Sequence, residues 1–146
     1  MSTGLAVFDE TIQESNGWLK QLQGELDPCS REQTYRGLRA VLHVLRDRLP
    51  ETAVLGLSAQ LPMLLRGLFL EGWRPQAGPS HVNSIEAFNE AVEARLGDRF
   101  PRDAFAVSCA VLEVMSNRLD PGEIDKLIRY LPTQLRPLWP KDYGMA

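Results

Sequence analysis

The chain has 146 residues, of which 44% are hydrophobic and 24% are charged, and its formal net charge is −3. This composition is typical of one compact globular domain and excludes a largely disordered chain. The mild acidity argues against nonspecific nucleic-acid binding by the whole molecule, because domains of that class are usually strongly basic.

The first half of the chain is predicted to form four helices. Ser30 followed by Gln33 is a capping-box pattern that opens helix 2. Helices 3 and 4 are expected to begin at Pro50 and Pro62, because proline is tolerated at the first helical position. The predicted core residues, which recur at nearly helical spacing, are Phe8, Ile12, Leu19, Leu22 and Leu26 in helix 1, Leu38, Val41, Leu42, Leu45 and Leu49 in helix 2, Val54 and Leu57 in helix 3, and Leu64, Leu65, Leu68 and Phe69 in helix 4.

A linker rich in glycine and proline at residues 72–81 separates these helices from four more. Helix 5 is expected to be capped near Ser84, helix 6 to begin at Pro101, helix 7 to be capped by Asp120 and helix 8 to begin at Pro132. No alternating run is long enough to form a sheet. The sequence therefore predicts an all-α fold of about eight helices.

An internal repeat relates the two sets of helices. When the chain is shifted against itself by 70 positions, residues 40–45 align with residues 110–115 without a gap, and Tyr35 aligns with Phe105. The matches fall mainly at predicted core positions, so the repeat is one of packing. Each half is near the lower size limit for an independent core, so we expect the halves to pack together. The prediction is one domain over residues 1–146, with four-helix pseudo-repeats at about residues 8–73 and 80–143.

Several segments together carry a family resemblance. They are Trp18-Leu19, Tyr35 to Pro50, Ala59 to Leu68, Glu71 to Pro75 and the tail from Leu131 to Pro140. The combination resembles the bacterial family called DUF2267, from about Thr11 to Pro140. The resemblance implies a helical bacterial protein, with a regulatory or stress association in some members. It implies no catalytic residues, because the family is named for its unknown function.

A basic stripe on helix 2 is the first candidate site. Arg36, Arg39, His43 and Arg46 follow one another at i, i+3, i+7 and i+10, so they share one helix face. That face lies opposite the leucine stripe, and we expect it to be exposed. Arginine forks in such a row can grip an acidic partner, a phosphate or RNA. The alternative is a solvated helix face, which the absence of a matching basic row in the second repeat favours.

The end of helix 4 is the second candidate site. Trp73 and Arg74 are residue types enriched at the centres of protein interfaces. A structural interpretation is also open, in which Trp73 covers the core where helix 4 ends and Gly72 terminates the helix in the left-handed conformation.

No catalytic or metal-binding pattern is found. His43 and His81 are the only histidines and lack metal-ligand spacing, and there is no nucleotide-binding or nucleophile-elbow motif. The isolated Cys29 and Cys109 are typical of reduced thiols in a cytoplasmic protein. The sequence also lacks a signal peptide and an apolar stretch of about 20 residues that would span a membrane. We therefore expect a cytoplasmic protein that is not an enzyme and binds no metal, cofactor or membrane.

The leading functional hypothesis is a non-enzymatic interaction or adaptor module that binds another protein or itself, as helical pairs commonly do. One alternative is anion or nucleic-acid binding through the helix 2 arginine face. Another is a small-ligand binder or enzyme with a pocket between the two halves.

Overall fold

The computed structural model describes residues 2–141, and within that range it contains no strand. The all-α prediction is therefore confirmed. The same range contains no helix that is long and apolar enough to cross a membrane. The α-helices of the described chain are α1 (Ala6–Glu25), α2 (Arg31–Arg48), α3 (Glu51–Gln60), α4 (Met63–Leu70), α5 (Ile85–Leu96), α6 (Ala104–Arg118) and α7 (Pro121–Tyr130), and its 3-10 helices are Pro75–Ala77 and Thr133–Leu138.

Side-chain caps set several of the helix starts. The backbone N–H of Gln33 donates to Ser30 Oγ at 3.1 Å, and the Gln33 side chain accepts from the Ser30 N–H at 2.8 Å, so the predicted capping box is confirmed. Ser84 and Asp120 cap α5 and α7 as expected. The predicted start of helix 6 at Pro101 is wrong, because Asp103 caps that helix and α6 begins three residues after Pro101, at Ala104.

The eighth predicted helix forms, but in the tighter 3-10 geometry. It spans Thr133–Leu138 and contains Pro137. Proline has no N–H to donate and disfavours the α conformation of the residue before it. The segment therefore makes one short 3-10 run against α5 and α6.

Helices α2 and α6 form the centre of the core. Helix α2 packs against α1, α4, α5 and α6, while α6 also packs against α1, α5 and α7. The five predicted core residues of helix 2 are all buried, as are Val54, Leu57, Leu65 and Phe69. Helices from the first half of the chain thus pack directly on helices from the second half.

Some predicted core residues are exposed. Phe8 and Ile12 of α1 are 50% and 38% exposed, and Leu64 of α4 is 54% exposed. Ser15 is the first buried residue of α1, and before it α4 reaches the helix at Thr11, whose Oγ1 accepts from the Leu64 N–H. The aligned aromatics Tyr35 and Phe105 are exposed as well.

Helix α2 approaches α6 closely at Gly37. A methyl group added there would lie 3.0 Å from Cγ1 of Val107, which is fully buried and β-branched. We expect Gly37→Ala to lower the free energy of unfolding by about 1–3 kcal/mol through overpacking. Gly56→Ala in α3, where the added methyl group meets open space, is the control and should raise it by up to about 1 kcal/mol. Urea denaturation measures both, and a stabilised Gly37→Ala would contradict the packing argument.

The carboxyl groups of Glu25, at the end of α1, and Glu113, in α6, form a hydrogen-bonded pair. A hydrogen bond with Glu113, together with burial and the negative charge of Glu113, raises the pKa of Glu25 from 4.5 to about 7. Between pH 4.5 and about pH 7 the folded chain therefore binds more protons than the unfolded chain. The free energy of unfolding consequently falls as the pH rises through that range.

We expect Glu25→Gln to flatten this pH dependence and to raise the melting temperature at about pH 8, because it removes the negative charge that Glu25 places beside Glu113 above its pKa. Glu14→Gln, at an exposed position of the same helix, is the control. Thermal unfolding followed by circular dichroism at about pH 5 and about pH 8 tests the prediction. An equal flattening by Glu14→Gln would contradict it.

Candidate functional site

One cleft collects most of the residues that the sequence analysis singled out. Its volume is about 530 Å³. The candidate residues that line it are Arg39, His43, Arg46, Trp73 and Arg74. Arg36 lies outside the cleft, where it pairs with Glu32 at 2.9 Å and donates to Leu96 O at the end of α5.

The cleft lies between α2, the segment 71–81 that follows α4, and Arg95 of α5. The backbone N–H of Ser80 donates to Asp47 O at 2.7 Å, which holds the segment against the end of α2. Gly72 has φ of +75°, a conformation that glycine adopts without strain. The predicted left-handed termination at Gly72 is confirmed, and it turns the chain from α4 into the wall of the cleft.

The expected exposure of the basic stripe is wrong for two of its four residues. His43 and Arg46 are only 2% and 4% exposed. The prediction assumed that α2 has one buried face, but α4 and α5 pack on the face that carries these two side chains. Arg36 is exposed and Arg39 is half-buried.

Arg46 connects α2 to the end of α4. Its Nη1 donates to Phe69 O at 3.0 Å and to Glu71 O at 2.8 Å, and its Nε donates to Asp47 Oδ1 at 2.9 Å. The last carbonyls of a helix have no partner within the helix, so this guanidinium satisfies two groups at the end of α4. Arg46 is therefore committed to holding the cleft together.

His43 is buried and makes one short and one long hydrogen bond. Its Nε2–H donates to Leu68 O at 2.8 Å, and its Nδ1 accepts from Nη1 of Arg95 at 3.5 Å. Burial lowers the pKa of His43, and three neighbouring arginines lower it further, against the opposing effect of the bond to Leu68. Nε2 carries the proton that bonds to Leu68 O and is therefore unavailable as a general base, whereas the long contact with Arg95 leaves Nδ1 only weakly engaged.

Arg39 is paired with a carboxylate of the chain itself. Its Nη2 lies 2.8 Å from Oε1 of Glu71, and the hydrogen bond lowers the pKa of Glu71. The two side chains are 42% and 62% exposed. Exposed pairs of this kind contribute about 0–1 kcal/mol, so another anion can replace Glu71 on Arg39 at low cost.

Arg95 and Arg74 retain donors for a ligand. Arg95 lies 3.4 Å from Asp47 Oδ2 and 3.5 Å from His43, longer than the roughly 2.7–2.9 Å of strong charge-assisted bonds. Arg74 is exposed, and its guanidinium makes no hydrogen bond or ion pair to any residue in the range 2–141. Two guanidinium groups therefore line the cleft with incomplete hydrogen bonding.

Trp73 covers the core at the end of α4. Its ring is half-buried and packs against the core cluster, and the backbone N–H of Trp73 donates to Leu70 O at 3.1 Å. This supports the structural interpretation made from the sequence. The ring also lines the cleft.

Sequence reasoning missed several residues of the cleft. Asp47, Glu71, His81 and Arg95 all line it. Arg95 carried no usable signal, because it lies 52 positions from His43 on a different helix. Asp47 follows Arg46 directly in the sequence. Its position beside a buried arginine would have indicated a cleft residue, but the sequence did not show that Arg46 is buried.

The fold and the cleft define an all-helical protein with an arginine-rich cleft between two of its helices and a connecting segment. Residues 15–139 match the family described as "Uncharacterized conserved protein (DUF2267)", and the chain belongs to this family. The resemblance found in the sequence is thereby confirmed. A search of curated proteins finds no match to the chain.

Two arginines of the cleft are expected to differ sharply in their contribution to stability. Arg46→Met leaves the carbonyls of Phe69 and Glu71 without their donor, so it should lower the free energy of unfolding by about 2–4 kcal/mol. Arg74→Met removes no bond and should change it by less than about 0.5 kcal/mol. Urea denaturation compares the two, and equal stabilities would show that Arg46 does not hold α4.

Proposed function

We propose that the protein is a non-enzymatic binding module whose cleft holds an anionic group, such as a phosphate or a carboxylate. The observation that carries the proposal is the incomplete hydrogen bonding of Arg74 and Arg95, which both line the cleft. Arginine presents several donors in a planar fork that matches these anions.

The charge balance of the cleft supports an anionic ligand. Four arginines line it, against the three carboxylates Asp47, Glu51 and Glu71. These seven groups together carry one net positive charge, although the whole chain carries −3. The anion would exchange with Glu71 on Arg39 and complete the bonds of Arg74 and Arg95.

The shape of the cleft favours a small anionic group over a nucleic-acid duplex. Its volume of about 530 Å³ lies within the roughly 300–1,000 Å³ that is typical of ligand sites. The buried His43 and Arg46 interrupt the exposed basic row that a phosphate backbone would need. The burial of His43 and the commitment of its Nε2–H to Leu68 O favour binding over catalysis.

The proposal includes the architecture expected from the sequence, a single domain of two pseudo-repeats. Its support is that α3 and α7 span residues 51–60 and 121–130, offset by 70 at both ends, and that α2 and α6 end at Arg48 and Arg118 with the same offset. Packing of α2 on α5 and α6 supports one domain. Residues 142 and 143 of the second predicted repeat lie outside the described range.

We also assign the protein to the cytoplasm. Both cysteines, Cys29 and Cys109, are free thiols, which supports a reducing compartment.

Titration with pyrophosphate and with citrate at low salt tests the cleft. Trp73 reports on it, because Trp18 and Trp139 are buried and Trp73 lines the cleft. We expect saturable changes in tryptophan fluorescence that weaken as salt rises. Arg74→Met and Arg95→Met should each weaken binding about 10-fold or more, which is the loss of one bond to a charged group.

Arg129→Met, at an exposed position of α7 away from the cleft, is the matched control and should leave the affinity unchanged. Failure of both anions to bind, or an equal loss in Arg129→Met, would overturn the proposal. Circular dichroism of each variant confirms that the fold is intact.

A further inference from the structure

Each of the three walls of the cleft carries one arginine that can bind a ligand. Arg39 lies on α2, Arg74 on the segment 71–81 and Arg95 on α5, and all three line the cleft. The other arginine of the lining, Arg46, is only 4% exposed and is bonded to the end of α4. An anion in the cleft is therefore approached by guanidinium groups from three separate elements of the fold.

The pairing of Arg39 with Glu71 leaves a better pairing open to a ligand. Nε and Nη2 of Arg39 both donate to the same oxygen, Oε1 of Glu71, at 3.3 Å and 2.8 Å. In a bidentate pair, two parallel N–H groups donate to two different oxygens, and this arrangement is the stronger one. A ligand that presents two oxygens to Arg39 can therefore replace Glu71 with a gain in hydrogen bonding.

The number of available arginines favours one kind of anionic group. A carboxylate has two oxygens in one plane, and a single guanidinium fork already engages both of them. A phosphate monoester has three terminal oxygens and carries a charge of about −1.5 to −2 at pH 7. Three arginines on three walls therefore match the tetrahedral phosphate better than the planar carboxylate.

The cleft is also larger than an anionic group alone. A water molecule occupies about 30 Å³ in the liquid and a phosphate group is only a few times larger, whereas the cleft has a volume of about 530 Å³. Apolar residues border the remaining space, and they are Leu49, Trp73, Pro75, Ala77 and Pro79. Space and apolar surface are thus available for an organic group that carries the phosphate.

The apolar surface lies next to one of the arginines. Trp73 directly precedes Arg74 in the sequence, and Pro75 follows it. Packing against the core and the bond from the Trp73 backbone N–H to Leu70 O hold the tryptophan in place. This wall is therefore formed before a ligand binds, and an organic group can pack on Trp73 while its phosphate bonds to Arg74.

Building on the proposed function, on which this inference rests, we propose that the ligand of the cleft is a small phosphate monoester with an apolar organic group. Its phosphate oxygens accept from Arg39, Arg74 and Arg95. Glu71 leaves Arg39 when the ligand binds, and the organic group lies against Trp73. Arg39 thus selects phosphate over carboxylate, and Trp73 selects the ester over the free anion.

Titration calorimetry of the full chain compares three ligands at about pH 8, where phosphate and its monoesters are dianions. Phenyl phosphate is the probe. Inorganic phosphate has the same charge without the ring, and benzoate has the ring with a carboxylate. We expect phenyl phosphate to bind at least 10-fold more tightly than either control, because it alone engages both the three arginines and the apolar wall.

Glu71→Gln tests the exchange on Arg39. It should strengthen the binding of phenyl phosphate about 3-fold or more, because a neutral amide competes less well for the guanidinium. Glu90→Gln, which removes an exposed carboxylate of α5 outside the cleft, is the matched control and should leave the affinity unchanged.

Arg39→Met tests the selection of phosphate, and it is made in the Glu71→Gln background so that no unpaired carboxylate remains beside the ligand. It should weaken the binding of phenyl phosphate at least 10-fold and that of benzoate less than about 3-fold, because Arg74 and Arg95 suffice for two oxygens. Arg129→Met in the same background is the control and should change neither affinity.

Nuclear magnetic resonance locates the organic group. The indole N–H signal of Trp73, assigned with the Trp73→Phe variant, should shift with phenyl phosphate and much less with inorganic phosphate. The signals of Trp18 and Trp139 should stay in place, because both side chains are buried and neither lines the cleft.

Three results would overturn the proposal. They are phenyl phosphate that binds no more tightly than benzoate, phenyl phosphate that binds no more tightly than inorganic phosphate, and a Trp73 signal that stays in place at saturation. If any of them occurs while pyrophosphate and citrate bind through Arg74 and Arg95, the proposed function stands and only this proposal is overturned. If no anion binds, both are overturned.

Discussion

The buried guanidinium of Arg46 is the interaction on which the candidate site depends. It joins α2 to the carbonyls of Phe69 and Glu71 at the end of α4, while its third bond goes to Asp47. A guanidinium with 4% exposure is tolerable only when its donors are satisfied, and here backbone carbonyls and one carboxylate satisfy it. These bonds fix where α4 stops, and so where the following segment begins to form the cleft.

The basic side chains of the cleft thus fall into two groups, those that hold the fold together and those that can bind a ligand. Arg46 is committed to α4, and His43 is held neutral between Leu68 and Arg95. Arg74 and the weakly bonded Arg95 remain, and their donors are the ones that a ligand can engage. The proposed anion site follows from this division, because counting basic residues alone would not distinguish the two roles.

Local signals predicted the helices well, and long-range packing limited the prediction of the site. The capping box at Ser30 and Gln33 depends on residues three apart, so the sequence reveals it directly. The burial of His43 depends on α4 and α5, which are distant in sequence, so periodicity within α2 treated its face as exposed. The prediction that Phe8 is buried was wrong in the opposite sense, since the residue is exposed. Apolar residues at helical spacing show that a face is suited to packing, but they do not show which element covers it.

Helix α4 ends at the cleft and also lines a groove that it forms with α1 and α2. It has eight residues, too few to be a stable helix alone, so its position is set by tertiary contacts. Thr11 Oγ1 accepts from the Leu64 N–H at the start of α4, and Arg46 holds its end beside the cleft. Leu68 lines the groove while its carbonyl accepts from His43, and Glu71 lines both the groove and the cleft. Any displacement of α4 therefore alters the cleft, which makes the position of this short helix a geometric requirement for binding there.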